Sequence, residues 1–149
     1  MKKTVKTLSV LLMAVMLVLN LSACGDNAES GNKVSSESES KVNGKTYVFE
    51  SLTADGKDAT ETIKAMYSEQ SFEFKDDGVC VQTIVWADAM AETMGTDPVV
   101  QNGTYEENGD KLKVTFKMDG ESDTVMEFTI DSDTIKLDEE GSVMLYKAK

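Results

Sequence analysis

Arginine and histidine are missing altogether, proline occurs once and cysteine twice. Without arginine there is no planar fork to grip a phosphate or carboxylate in two places. Without histidine there is no side chain that ordinarily titrates near neutral pH. Most enzyme classes are disfavoured on that ground. The Gly-x-Ser-x-Gly elbow, the Gly-x-x-x-x-Gly-Lys loop and any Cys/His cluster are missing too. At 149 residues, one small domain fits and two do not.

What is present begins with an address. Met1 to Lys6 carry three Lys, and Leu8 to Leu19 is almost wholly apolar, the pattern of a secretory signal. The run closes on Leu21-Ser22-Ala23-Cys24, which resembles the lipobox of bacterial lipoprotein signal peptides. A small residue before Cys24 suits cleavage, and the thiol of a new N-terminal Cys24 would take a thioether-linked diacylglycerol. Two acyl chains, at about 0.8 kcal/mol per buried CH₂, anchor a protein stably. The alternative is an uncleaved membrane helix, since Val5 to Ala23 is just long enough to span. The chain thus divides into a signal peptide at 1–23, a lipidated tether at 24–41 and a folded domain at 42–149. Membrane attachment through Cys24 and an extracytoplasmic, cell-envelope location are the corresponding expectations.

Cleavage sharpens the charge. The chain sums to −12, and losing three signal lysines leaves twelve Lys against 27 acids, or −15. Phosphate backbones need a basic patch and none is visible, so nucleic acid is not an expected partner. The stretch 25–41 holds two apolar side chains and cannot form a core; at that length it reaches on the order of 23 Å on average. With Cys24 lipidated, Cys80 is the one remaining thiol, so stability rests on packing rather than a disulfide. Cys80 lies in an apolar run and reads as a small buried hydrophobe.

From residue 42 onward the period is two. Leu112, Val114, Phe116 and Met118 alternate with Lys111, Lys113, Thr115 and Lys117, and Met126, Phe128 and Ile130 repeat the pattern. Asp76-Asp77-Gly78, Asn108-Gly109-Asp110, Asp119-Gly120, Asp131-Ser132-Asp133 and Glu140-Gly141 mark turns between the runs. Eight strands are expected, at 45–52, 70–76, 79–86, 102–107, 111–118, 122–130, 133–138 and 142–147. The expected inward set includes Tyr47, Phe49, Phe72, Phe74, Val79, Val81, Val85, Tyr105, Ile135, Leu137, Val143 and Leu145, besides the alternating residues of the fifth and sixth runs. Two connections are helical. Asp58-Ala59-Thr60-Glu61 opens an amphipathic helix with Ala59, Ile63, Met66 and Tyr67 on one face, ending near Ser68. A second, shorter one spans Ala87 to Gly95, before Pro98.

Such an all-β meander removes its exposed edges by closing into an eight-stranded antiparallel up-and-down barrel, with an open meander or sandwich as the alternative. Up-and-down order brings both helical segments to one mouth and both termini to the other end. Ile63, Met66, Tyr67, Trp86, Met90 and Met94 are therefore the candidate ligand-binding residues, with Met144 nearby. Thioethers and aromatics suit an adaptable apolar surface. They equally suit an ordinary cap on a self-filled core, and both readings stay open.

In these features the chain resembles the lipocalin-like, calycin-type β-barrels, and more closely the small lipocalin-like domains of bacterial lipoproteins. The likeness covers roughly residues 44–147 and rests on Gly44-Lys45-Thr46-Tyr47, on Phe72 through Gly78, on Gly103-Thr104-Tyr105-Glu106 and on Leu145-Tyr146-Lys147. It implies carriage or sensing of a small apolar molecule, or a scaffold for contacts with an envelope protein. The competing class is a structural or interaction lipoprotein whose barrel is solid.

Catalysis is not expected. Glu106 and Glu107 are neighbours on a strand and point to opposite faces, and Asp138-Glu139-Glu140 sits in a solvated turn. Asp119, Glu121, Asp131, Asp133, Asp138 and Glu139 are oxygen ligands of the kind Ca²⁺ takes, but no Asp-x-Asp-x-Asp-Gly loop gathers them. No cofactor or metal is expected. The lipid address has a direct test: Cys24→Ala should abolish incorporation of radiolabelled palmitate, and unchanged labelling would remove the anchor.

Overall fold

The alternating runs fold as strands because each can hide one face and solvate the other. The computed structural model describes residues 40–118 and 122–149. In chain order the elements are β1 (Thr46–Ala54), β2 (Lys57–Asp58), α1 (Thr60–Met66), β3 (Tyr67–Phe74), β4 (Val79–Trp86), α2 (Asp88–Met94), β5 (Val99–Asn108), β6 (Lys111–Phe116), β7 (Thr124–Asp131), β8 (Thr134–Glu139) and β9 (Ser142–Ala148). The eight long strands pair antiparallel with their neighbours, and β9 returns to β1 over Tyr47↔Ala148 to Ala54↔Ser142, which closes the barrel. The two-residue β2 only extends the tip of β1. Alternating direction puts α1 and α2 at one end, here the helical end, and the last strand's exit at the other.

That other end is floored by the chain's own approach. Val42 is fully buried in the barrel core, and Gly44 N–H donates to Phe74 O at 2.8 Å. The Ser40 hydroxyl donates to Glu107 Oε2 at 2.7 Å, and Lys41 N–H donates to Glu107 Oε1 at 2.9 Å. The contacts of the folded body thus reach back to Ser40. The expected signal segment, Cys24 and most of the expected tether lie outside the described residues, as do Asp119, Gly120 and Glu121.

Aromatic rings fill the middle. Phe72 on β3 and Phe128 on β7 belong to strands four places apart in an eight-membered ring, on opposite walls, yet their ring centroids are 5.3 Å apart. Tyr146 on β9 meets Phe72 at 5.1 Å and Phe128 at 6.1 Å, all edge to face. Such pairs add about 0.5–1.5 kcal/mol each beyond the area they bury. At this level the lumen is occupied by the barrel's own side chains.

Two strands face the opposite way from the sequence reading. In β4, Val79, Val81 and Val85 are half-buried on the outer face, and Cys80, Ile84 and Trp86 point in. In β9, Val143 and Leu145 lie outside, while Met144 and Tyr146 pack inward. Both runs are apolar on both faces, so polarity does not set their phase. The larger ring does, because burying Trp86 or Tyr146 removes more apolar area from water than burying Val85 or Leu145.

The boundaries shift too. β3 begins at Tyr67, three residues before its expected start, because Tyr67 has extended backbone and pairs with Trp86 rather than completing the helix. β5 starts at Val99, directly after Pro98. The ladder skips Glu50 in β1 and Ser68 in β3, one bulge in each strand. Each bulge reverses which face is inward, from Tyr47 and Phe49 to Leu52 in β1, and from Tyr67 to Phe72 and Phe74 in β3. β1 pairs with β3 only at Thr46–Val48, and towards the helical end α1 lies against both strands.

Among the described glycines, Gly103 has the closest neighbours. A Cβ there would stand 2.6 Å from Thr115 O and 2.7 Å from the Phe116 ring. Gly103→Ala should therefore cost about 1–3 kcal/mol through forced repacking, read as a fall in Tm of roughly 4–8 °C per kcal/mol. An unchanged Tm would mean that β5 and β6 do not approach so closely.

Candidate functional site

At the helical end a second apolar cluster sits above the aromatic plug. Leu52, Ile63, Tyr67, Ile84 and Trp86 are buried in it, and Phe49, Ala59, Met66, Met90, Met94, Val99 and Met144 pack around them. All six residues singled out from sequence meet here, drawn from α1, β3, β4 and α2. The Tyr67 and Trp86 rings, adjacent across the β3–β4 ladder, lie 5.0 Å apart and tilted by 32°. Burial pushes the Tyr67 hydroxyl above its ordinary pKa.

The two helices are held differently. α1 is pinned where β1 leaves β3: Leu52 N–H donates to Thr60 Oγ1 at 3.0 Å, and Ala59 N–H donates to Leu52 O at 2.8 Å. Asp58 Oδ1 accepts from Thr60 N–H at 2.9 Å, but the N-cap is Ala59 and no side chain caps the helix, so the expected capping box does not form. Ile63 drives the same helix into the cluster. α2 buries none of its side chains fully and rests on the half-buried Met90 and Met94. Its ends are fixed by the backbone: Ala87 N–H donates to Met66 O at 2.9 Å, and Gly95, at φ 94°, ends the helix. Seven residues are too few for a helix to stand on propensity alone. α2 is therefore held by what its methionines touch.

Sequence reasoning missed Leu52, Ile84 and Thr60. The bulge at Glu50 hid Leu52, the reversed face of β4 hid Ile84, and Thr60 serves through its hydroxyl on a backbone it meets only in the fold. The remaining candidates do not converge. Asp131 and Asp133 lie at the floored end and Asp138 and Glu139 at the helical end, and among the described residues no three His, Cys, Asp or Glu side chains gather around a common point. Cys80 is fully buried in the barrel core, and burial pushes its thiol up to about 12, so it packs and does not react. Among the described residues, no helix is long and apolar enough to cross a membrane. No protein-family model, curated protein or solved structure matches the chain.

The Asp58 bond gives α1 a pH dependence. Hydrogen bonds from Thr60 hold the Asp58 carboxyl below its usual pKa. A lowered folded-state pKa stabilises above the unfolded-state value, about 4 for Asp, and that contribution is lost as pH falls through the folded value. Wild type should therefore unfold at a higher temperature than Asp58→Asn near neutral pH, with the gap closing below about pH 4. A gap that does not change with pH would show that the carboxylate does not hold the helix.

Proposed function

We propose that the chain is a lipid-anchored, extracytoplasmic lipoprotein whose lipocalin-like barrel holds a small apolar ligand at its helical end, with no chemistry of its own. The observation that carries this reading is the seating of α2. The cover over Tyr67 and Trp86 touches the barrel through two flexible thioethers and no fully buried side chain. A short helix held in that way can be displaced with little loss of packing, and methionine adapts to an irregular guest. The filled lumen confines the site to this end. The Leu-Ser-Ala-Cys ending and the acidic, Ser-rich stretch after it support the anchor. Entry of the chain at the floored end turns the helical end away from the surface on which Cys24 would sit.

A second reading, a structural or interaction lipoprotein with a solid barrel, is favoured by the contact of Phe72 with Phe128 across the whole width of the lumen. Trp86 decides between them, because it is the only tryptophan. Titration with a neutral hydrophobic dye should give a saturable change in Trp86 emission, weakened when Met90 and Met94 are both changed to Ser. Emission that never saturates would leave the solid barrel as the function.

A further inference from the structure

The rim of the same site bears on the charge of its guest, a question that rests on the ligand-binding proposal. The apolar floor of the site contains no cation. The chain has no Arg or His, and the lysines of the described connectors at this end, Lys57, Lys64 and Lys117, are all exposed. A fatty acid would bring its carboxylate to a place with nothing to receive it.

Around that floor acidic side chains outnumber lysines. The stretch from Asp88 to Pro98, which includes α2, carries Asp88, Glu92 and Asp97 and no lysine. The β8–β9 turn carries Asp138, Glu139 and Glu140; Lys136 pairs with Asp138 at 3.4 Å and leaves the two glutamates. Over the described connectors and the two residues at each strand tip, the helical end holds ten acidic side chains against three lysines. The floored end, counted the same way from Ser40, holds seven against six. The negative charge is thus concentrated where the apolar cluster is covered most loosely, and is not a uniform property of the surface. Like charges gathered round a low-dielectric patch repel anions and raise the local concentration of cations.

We infer that the site takes a cationic amphiphile: one apolar chain laid against Trp86, Tyr67 and the methionines, and a positive head group left at the carboxylate rim. The apolar part supplies affinity and the rim supplies selection. Exposed ion pairs are individually weak. Several acting on one head group give a preference of about tenfold over the matching anion, largest at low salt.

The test uses the domain from Ser40 to Lys149 within the full mature chain and three probes of equal chain length, each below its micellar concentration: dodecyltrimethylammonium, dodecanol and dodecanoate. Trp86 emission and calorimetry should place dodecyltrimethylammonium about tenfold tighter than dodecanoate at low salt, with dodecanol between. The gap should narrow as sodium chloride is raised. The double variant Asp88→Asn, Glu92→Gln should lose several-fold of the cationic preference and leave dodecanol binding unchanged. Equal binding of the two charged probes, or tighter dodecanoate, would overturn the inference and leave the apolar site standing. Failure of all three to bind would overturn the site itself.

Discussion

A barrel of eight strands must fill its own interior or enclose something that does, and here the contact between Phe72 and Phe128 settles the matter at mid-height. Rings from opposite walls cannot approach to 5.3 Å unless nothing but side chains lies between them. With Tyr146 wedged against both, the walls are held at a fixed spacing by three edge-to-face contacts. Tyr47 and Phe74 continue the ring stack towards the floor, where Phe74 meets Tyr105. This packing makes a domain without disulfides feasible at about 110 residues, because each buried ring contributes about 1.5–3 kcal/mol of apolar transfer.

The same plug divides the molecule into two compartments with different rules. Below it the strands pair without register shifts and the core is closely packed. Above it the wall is discontinuous, since β1 leaves β3 after Val48 and both strands are bulged at that level. A continuous sheet needs no helix to complete it, whereas a gap must be stopped with something. α1 answers with the Thr60 hydroxyl on the β1 backbone and with Ile63 in the cluster. The helices are therefore parts of the wall and roof, positioned by where the ladder fails. That location is where any adaptable surface in this fold has to be.

How much of this was legible in the residues depends on contrast between faces. β6 alternates Lys with Leu, Val and Phe, and β7 alternates Phe128 and Ile130 with Glu127 and Thr129, so their inner faces read directly. β4 and β9 carry apolar side chains on both faces, so alternation leaves their phase open and only the larger ring, Trp86 in one and Tyr146 in the other, marks the inner side. Bulges are equally silent, because Glu50 and Ser68 are ordinary polar residues whose effect is one of register. The six residues of the helical end were found because helix spacing and connection order, rather than face, brought them together. Val42, a lone apolar side chain in a polar stretch, became visible as core only when the floor was assembled.

That floor has a mechanical meaning. The strap from Ser40 to Gly44 is clasped by Glu107 at the tip of β5 before the chain enters β1, three walls away around the ring. A force applied to the chain upstream of Ser40 is thus received first by the β5–β6 hairpin and spread across the base.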